Sequence, residues 1–412
     1  MKKQKIAIIG GCGHVGLPLG IVLATLDDVE VCLIDLDDEK IRAVNSGEMP
    51  FLEENMDPVL RQVIGKTLKA TRSMDELADA DIVVEVIGTP VDSHLNPLLK
   101  ELYSHTDNTI RHMKDGALMI LRSTLYPGVS KLIYERLKSQ GRNIHLAVCP
   151  ERIAEGKALE ELWNLPQIVG AFEEEAASMA SELFSRFAPS IIRVSPIEAE
   201  LGKLFVNSWR YLNFAVSNQF FILCQKYNLD FYRIYEAFSK DYPRMSPYPK
   251  AGFAAGPCLL KDTLQLCAFS GNLFFMGNAA MVVNESLPNF IIERLEKHDL
   301  PNLRVAILGM AFKGNSDDTR DSLACKLRNL LQVYAKEVIC TDPYVQDERL
   351  VPLDEAISRA DVIVLGAPHS VYKDISLPPN KLVVDVWGFW PMANPVTVID
   401  SKSLASSSNS IK

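Results

Sequence analysis

Six residues near the start, Gly11-Cys12-Gly13-His14-Val15-Gly16, constrain this chain more than any other stretch. They follow Lys5-Ile6-Ala7-Ile8-Ile9-Gly10, an apolar run suited to a buried parallel strand, and precede an apolar helical stretch from about 17 to 26. Strand, GxGxxG and helix in that order make a dinucleotide-binding turn. Gly11 is expected to permit the tight turn, Gly13 to let backbone approach a pyrophosphate, and Gly16 to seat the helix on the sheet, with the helix N-terminus attracting phosphate charge. His14 and Val15 share the loop and join the glycines as expected cofactor contacts. The next strand-like run, residues 29–34, ends in Asp35. A carboxylate there accepts hydrogen bonds from both ribose hydroxyls and repels a 2′-phosphate, which favours NAD over NADP. Lys40 either flanks the adenosine or is a solvated helix lysine.

The alternation continues. Apolar runs at 82–87, 118–122 and 144–148 lead into Gly88-Thr89-Pro90, Ser123-Thr124 and Cys149-Pro150-Glu151. Polar residues at successive C-terminal strand ends are where open parallel sheets bind ligands, so the nicotinamide crevice is expected along Thr89, Thr124 and Glu151, with Pro90 and Ser123 beside them. From Pro196 to about 227 one long helix follows, apolar at Leu201, Leu204, Phe205, Leu212, Ala215, Val216, Phe220 and Leu223. Further helical segments run to about 297, and Asp299-Leu300-Pro301-Asn302 reads as a linker. A second α/β unit opens at Arg304-Val305-Ala306-Ile307-Leu308-Gly309, with strand-like runs at 337–340, 361–365 and 381–385. The expected fold is α/β: two Rossmann-like, doubly wound parallel-sheet domains (1–195 and 301–400) joined by a long helix and a central helical layer (196–300). A serine-rich tail, 401–412, is expected to be disordered. The long helix is more apolar than one domain needs, so it is expected to form a homodimer seam.

The length of 412 residues with 48% hydrophobic content suffices for two or three cores. A net charge of −9 without a long basic run speaks against nucleic-acid and membrane-surface partners. Met-Lys-Lys-Gln-Lys before an apolar stretch resembles a signal peptide only superficially, because the apolar run is too short and already serves as the first strand. The eight cysteines show no CxxC pair or metal-ligand spacing, which fits free thiols, a reducing cytoplasm and no metal site.

One cysteine differs by its setting. Cys258 stands in Gly252-Phe253-Ala254-Ala255-Gly256-Pro257-Cys258-Leu259-Leu260-Lys261-Asp262-Thr263. A nicotinamide can take an alcohol to an aldehyde; a nucleophilic thiol can trap that aldehyde as a thiohemiacetal, lose a second hydride, and release an acid by thioester hydrolysis. Lys203 and Asn207 share a helix face, where a cation and an amide can hold an oxyanion or line an ordinary amphipathic surface. Glu151 and Glu155 lie a turn apart after a strand end, suited to base chemistry and cofactor contact, or simply paired surface acids.

Together these stretches resemble the UDP-glucose/GDP-mannose dehydrogenase family of nucleotide-sugar 6-dehydrogenases, from Ile6 to about Trp390. The resemblance rests on residues 11–16, Ser123-Thr124, Pro150-Glu151 with Glu155-Gly156, Glu200-Leu201 through Lys203-Leu204-Phe205-Val206-Asn207, Cys258 with Lys261-Asp262-Thr263, and Ala311-Phe312-Lys313 with Asp317-Asp318-Thr319-Arg320. It implies an NAD domain, a helical dimer core and a nucleotide-diphosphate domain. It also implies that Cys258 is the nucleophile and that Lys203 and Asn207 stabilise oxyanions. Asp262 works with Thr124 on a water or proton, and Glu151 assists thioester hydrolysis. Glu155 and Arg320, with Lys261, fall near NAD; Phe312 and Lys313 hold uridine and diphosphate. Arg244 resembles an arginine reaching substrate in the neighbouring subunit, and Lys250 a phosphate contact. Arg152, Ile153 and Phe253 fall in substrate-binding stretches. The chain departs from the family's usual GxGFGGxC loop at Phe253, Ala254, Ala255 and Pro257, and carries Trp387 where many members have arginine.

Gly16-Leu17-Pro18-Leu19 resembles the branch acting on UDP-N-acetylhexosamines, while Lys261-Asp262-Thr263 resembles the UDP-glucose and GDP-mannose branch. The expected substrate is UDP-N-acetylmannosamine or UDP-N-acetylglucosamine, oxidised to a uronic acid for polysaccharide synthesis, with UDP-glucose as the alternative. A two-electron 3-hydroxyacid or 6-phosphogluconate-type dehydrogenase and a non-catalytic NAD- or nucleotide-sugar-binding protein remain open.

Overall fold

A computed structural model describes residues 3–88, 91–92 and 97–390. The chain divides into two compact units, Met1–Val206 and Asn207–Lys412, and the boundary falls inside one continuous helix. The tail 401–412 lies outside the described residues.

The first unit alternates strands and helices: β1 (Gln4–Ile9), α1 (Gly16–Ala24), β2 (Val29–Ile34), α2 (Asp38–Asn45), α3 (Met56–Val63), β3 (Leu68–Thr71), β4 (Ile82–Glu85) and α4 (Leu99–His112). Then come β5 (Leu118–Leu121), α5 (Val129–Ser139), β6 (His145–Val148), α6 (Ala158–Asn164), β7 (Gln167–Ala171), α7 (Glu174–Phe184), β8 (Ile191–Val194) and the start of α8 (Pro196–Lys226). The strands form one sheet in the order β3-β2-β1-β4-β5-β6-β7-β8. Side chains alternate across it: Ile6, Ile8, Val31 and Leu33 join one core with α1, while Ala7, Ile9, Cys32 and Ile34 join another with Leu102 and Ile110 of α4. Burial on both faces explains the near-continuous apolar strands. One departure from an all-parallel sheet is the β6/β7 pairing, which is antiparallel. The short connection through α6 re-enters at the same edge instead of crossing the sheet.

The second unit continues α8 and adds α9 (Phe231–Ser239), α10 (Leu259–Phe269), α11 (Phe275–Glu296), β9 (Arg304–Leu308), α12 (Leu323–Tyr334), β10 (Glu337–Thr341), α13 (Leu353–Arg359), β11 (Val362–Leu365) and β12 (Leu382–Val384). Its strands form a parallel sheet ordered β10-β9-β11-β12. Helices and sheet share a core, in which Phe221, Phe231, Phe290 and Leu327 pack with Ile307 and Val364. Among the described residues no helix is long and apolar enough to cross a membrane.

Candidate active site

In the first unit the sharp bend falls one residue earlier than the fingerprint suggests. Gly10 has φ +75°, and the amides of Gly10 and Gly11 both donate to Ile34 O, at 2.8 and 3.0 Å. Gly11 is required for space: a Cβ there would lie 2.7 Å from Ile8 O. At Gly16 a Cβ would lie 2.7 Å from Gly10 O, so this glycine lets α1 sit on the turn. Around Gly13 the nearest atom to such a Cβ is 3.6 Å away, which leaves the backbone open to a ligand. The N-terminus of α1 has no side-chain cap and no acid in its first turn, which suits an anion at its positive dipole end. Asp35 accepts from Cys12 N at 2.9 Å with one oxygen and from Leu36 N at 2.8 Å with the other. An open glycine, an uncapped helix start and a carboxylate at the end of β2 fit the pyrophosphate and ribose of NAD. The His14 ring packs 4.0 Å from Phe51, and Val15 is half-buried. Lys40 pairs with Asp37, the cap of α2, at 3.7 Å. Thr89 and Pro90 lie outside the described residues.

At the ends of β5 and β6, Ser123 and Thr124 are half-buried, and Ser123 Oγ approaches Glu85 O at 3.5 Å. Glu151 is buried with both oxygens engaged: one accepts from Arg122, the other from the amides of Arg152 and Ile153 at 2.7 and 3.0 Å. Arg152 donates to Pro166 O. Glu155 is half-buried in a loop whose neighbouring amides, Gly156 and Ala158, donate to buried Glu53 at 2.9 and 2.8 Å. Glu200 accepts from Gly128 N at 2.6 Å and Ser130 N at 2.8 Å, which caps α5; burial pushes its carboxyl up against the pull of those amides. Lys203 is half-buried one turn further along α8.

In the second unit, exposed Cys258 occupies the N-cap of α10, where the helix dipole favours negative charge on the sulfur. The other seven cysteines are buried or half-buried. One turn along α10, buried Asp262 accepts from Asn207 Nδ2 at 2.6 Å, and Lys261 Nζ lies 3.8 Å from its second oxygen. The fold thus joins two residues separated by 55 positions. Phe312 and Lys313 follow β9, with the ammonium 5.5 Å from the ring. Arg320 chelates buried Asp318 through Nε at 2.9 and 3.0 Å. Lys250 donates to Gly388 O at 3.1 Å, and buried Phe253 packs edge-on 6.2 Å from Trp387. Arg244 is exposed and folds back on Tyr242, donating to its hydroxyl at 2.7 Å.

The sequence reading missed three supports. Arg122 is fully buried, bonded to Glu151, Cys149 O and Gln167, under the Phe184 ring at 4.9 Å. Asn218 bonds both backbone groups of Gly252, at 2.8 and 2.9 Å, and Asn284 Oδ1 at 2.9 Å. Asp342, at the end of β10, binds His369. An amide inside an apolar helix and an arginine ending an apolar strand were the available signals.

An acid at a strand end beside an open glycine turn, in a chain with a second Rossmann-like sheet, fits a dinucleotide-binding protein. Residues 4–188 match the UDP-glucose/GDP-mannose dehydrogenase family NAD binding domain, 197–286 its central domain, and 306–392 its UDP binding domain. UDP-N-acetyl-D-mannosamine dehydrogenase of Pyrococcus horikoshii is 30% identical over 387 residues, covering 90% of this chain and 91% of that one. The Methanocaldococcus jannaschii enzyme of the same name is 29% identical over 398 residues, covering 93% and 92%. A solved structure of the P. horikoshii UDP-D-ManNAc dehydrogenase has a TM-score of 0.87 at 29% identity, covering 95% of this chain and 97% of that one. A UDP-glucose dehydrogenase from Pyrobaculum islandicum shares the fold with a TM-score of 0.85 at 24% identity, covering 93% and 94%. The chain belongs to the UDP-glucose/GDP-mannose dehydrogenase family and is an NAD-dependent nucleotide-sugar dehydrogenase.

Proposed function

We propose that the chain oxidises the C6 hydroxyl of a UDP-N-acetylhexosamine, most readily UDP-N-acetylmannosamine, by four electrons to the uronic acid. The observation that carries this reading is Cys258 at the start of α10, one turn from an Asp262 bonded to Asn207. Bound NAD would supply hydride acceptance for both oxidations. The Cys258 sulfur adds to the C6 aldehyde, its proton leaving to a neighbouring base, and Lys203 and Asn207 stabilise the oxygen. After the thioester has formed, Thr124 and Asp262 position water, and Glu151 assists its attack. Phe312 and Lys313 seat uridine and diphosphate, with Lys250 and, across a dimer, Arg244 as further contacts. Glu155, Lys261 and Arg320 serve the cofactor. The names of relatives support the N-acetylmannosamine choice; UDP-glucose is the second reading, supported by the Lys261-Asp262-Thr263 sequence.

The three-part division at 195 and 300 and a homodimer through α8 belong to the same proposal. Trp209, Val216, Phe220, Leu223 and Tyr227 are exposed on α8 at three-, four- and seven-residue spacing, an apolar stripe that water alone does not favour. The deciding assay follows NADH with UDP-N-acetylmannosamine, UDP-N-acetylglucosamine, UDP-glucose and GDP-mannose. Two NADH per sugar and an acid product are expected; one NADH, or none with any of them, overturns the reading. Sedimentation showing only monomer at micromolar concentration would remove the dimer.

A further inference from the structure

The loop that carries the thiol is held at both ends by contacts that leave no room for a side chain. At Gly256 (φ +98°), a Cβ would lie 2.6 Å from Phe312 Cδ2 and 2.8 Å from its Cε2, so the ring rests directly on the backbone two residues before Cys258. At Gly252 a Cβ would lie 2.3 Å from the Trp387 indole, which is itself fixed by its ring N–H donating to Leu365 O at 3.2 Å. From the helical side, Asn218 grips Gly252 N and O, and Asn284 grips Asn218 and Tyr211 O; both amides are fully buried. The Gly252 end is therefore held from two sides. At the Gly256 end the amide donates to Asp321 O at 3.4 Å, and the backbone faces the Phe312 ring on the loop after β9, next to Lys313.

We infer that Phe312 is a positioning residue that couples occupancy of the nucleotide seat to the placement of Cys258 through its direct contact with Gly256. This rests on the proposal that Phe312 and Lys313 seat the nucleotide. A ring pressed on bare backbone transmits any displacement, because close-packed contacts do not compress. A base that shifts or stiffens Phe312 thereby sets the thiol before any sugar reaches it.

The test uses UDP, which lacks the hexose that could shield the sulfur, and no NAD. Iodoacetamide modification of Cys258 is timed by peptide mass spectrometry with and without saturating UDP, and UDP affinity is measured by calorimetry. In the native protein, UDP should change the Cys258 rate by at least about twofold, the lower end of coupling between contacting residues. Gly256→Ala should lower UDP affinity and alter the basal rate, and Phe312→Leu should abolish the UDP effect at saturating UDP. Adding Phe312→Leu to Gly256→Ala should restore the part of the basal rate lost to the ring clash, the strain of the positive φ at 256 remaining, a partial rescue that general damage would not produce. UDP binding with an unchanged Cys258 rate in the native protein overturns the coupling while leaving the seat intact. Absence of UDP binding overturns both. If Gly256→Ala does not fold, the native and Phe312→Leu rates alone decide.

Discussion

The chain contains two versions of one strand–turn–strand arrangement, and they use the same aspartate differently. In the first, Gly10 (φ +75°) donates to Ile34 O and Asp35 ends the neighbouring strand, binding Cys12 N. In the second, Gly309 (φ +91°) donates to Thr341 O and Asp342 ends the neighbouring strand, binding Met310 N at 2.6 Å and Ala311 N at 3.1 Å. After Gly10, α1 starts within a few residues and an open glycine faces out; after Gly309, a long loop with Phe312, Lys313 and Asp318 intervenes before α12. Asp35 is half-buried, whereas the Asp342 carboxylate is buried against His369, whose Nε2 lies 3.1 Å away and whose Nδ1 accepts from Asn315 N at 3.0 Å. The first aspartate stays half-exposed at the strand end, where the proposed ribose contact would form; the second is consumed in holding its own loops. One topology therefore yields a candidate ligand site in one place and an internal brace in the other, decided by what fills the space beyond the strand.

That division is sharpest if catalysis can be removed without touching either half. Cys258→Ser is expected to cut turnover by about 10³-fold or more while UDP and NAD affinities, read by calorimetry, stay within about twofold. Substantial residual acid formation would break the assignment of the thiol. Next in size, Asp342→Asn should destabilise the second unit by about 2 kcal/mol, the cost of weakening buried hydrogen bonds to a charged acceptor, seen as an earlier urea transition with an unchanged KM for NAD. Burial alone would raise the Asp342 carboxyl, but His369 and the amides of Met310 and Tyr344 outweigh it and hold it below its ordinary value. Its stabilisation is thus present above the usual carboxylate range and is lost as pH falls through the depressed folded value; the variant should flatten acid unfolding. Asp35→Asn should do the converse, raising KM for NAD about 10-fold, as expected for a weakened charge-assisted hydrogen bond, with little change in stability. If both variants behaved alike, the contrast between the two halves would fail.

The smallest effect sits at the end of β4. His105 Nε2 lies 3.2 Å from buried Glu85, and that contact raises the imidazole above its ordinary value despite the opposing cost of burial. A raised folded pKa contributes stability that is fully present below the unfolded value, about 6.5, and is lost as pH rises through the folded one. Thermal melts of the native protein should therefore weaken modestly from pH 6 toward pH 8 relative to His105→Gln; parallel curves would discard the pair as a contributor.

Much of the first half was legible because its signals are local. Spacing of glycines, a strand before and a helix after, and an acid at the next strand end lie within a few tens of residues. The thiol loop and Asp262 were equally readable as a motif, but that the helix begins at Leu259, directly after Cys258, was not. Gly10 in place of Gly11 as the bend was not, because φ at a glycine pair depends on which neighbour crowds the backbone, here Ile8 O and Leu33. The antiparallel entry of β7 also escaped, since strand direction depends on where a connection returns and not on the strand's own residues. Nor could a lone Asn218 or Arg122 announce its partner across 34 or 29 positions.

By itself, then, the sequence determined the order of strands and helices, the cofactor turn and the presence of a thiol in a distinctive loop, because periodicity and glycine spacing act over one or two turns of chain. Only the tertiary structure decided that Asn207 meets Asp262, that Phe312 lies on Gly256, and that Asp342 faces a histidine and no open cleft. Those outcomes depend on which side chains compete for the same buried space, and that competition is settled when distant segments pack.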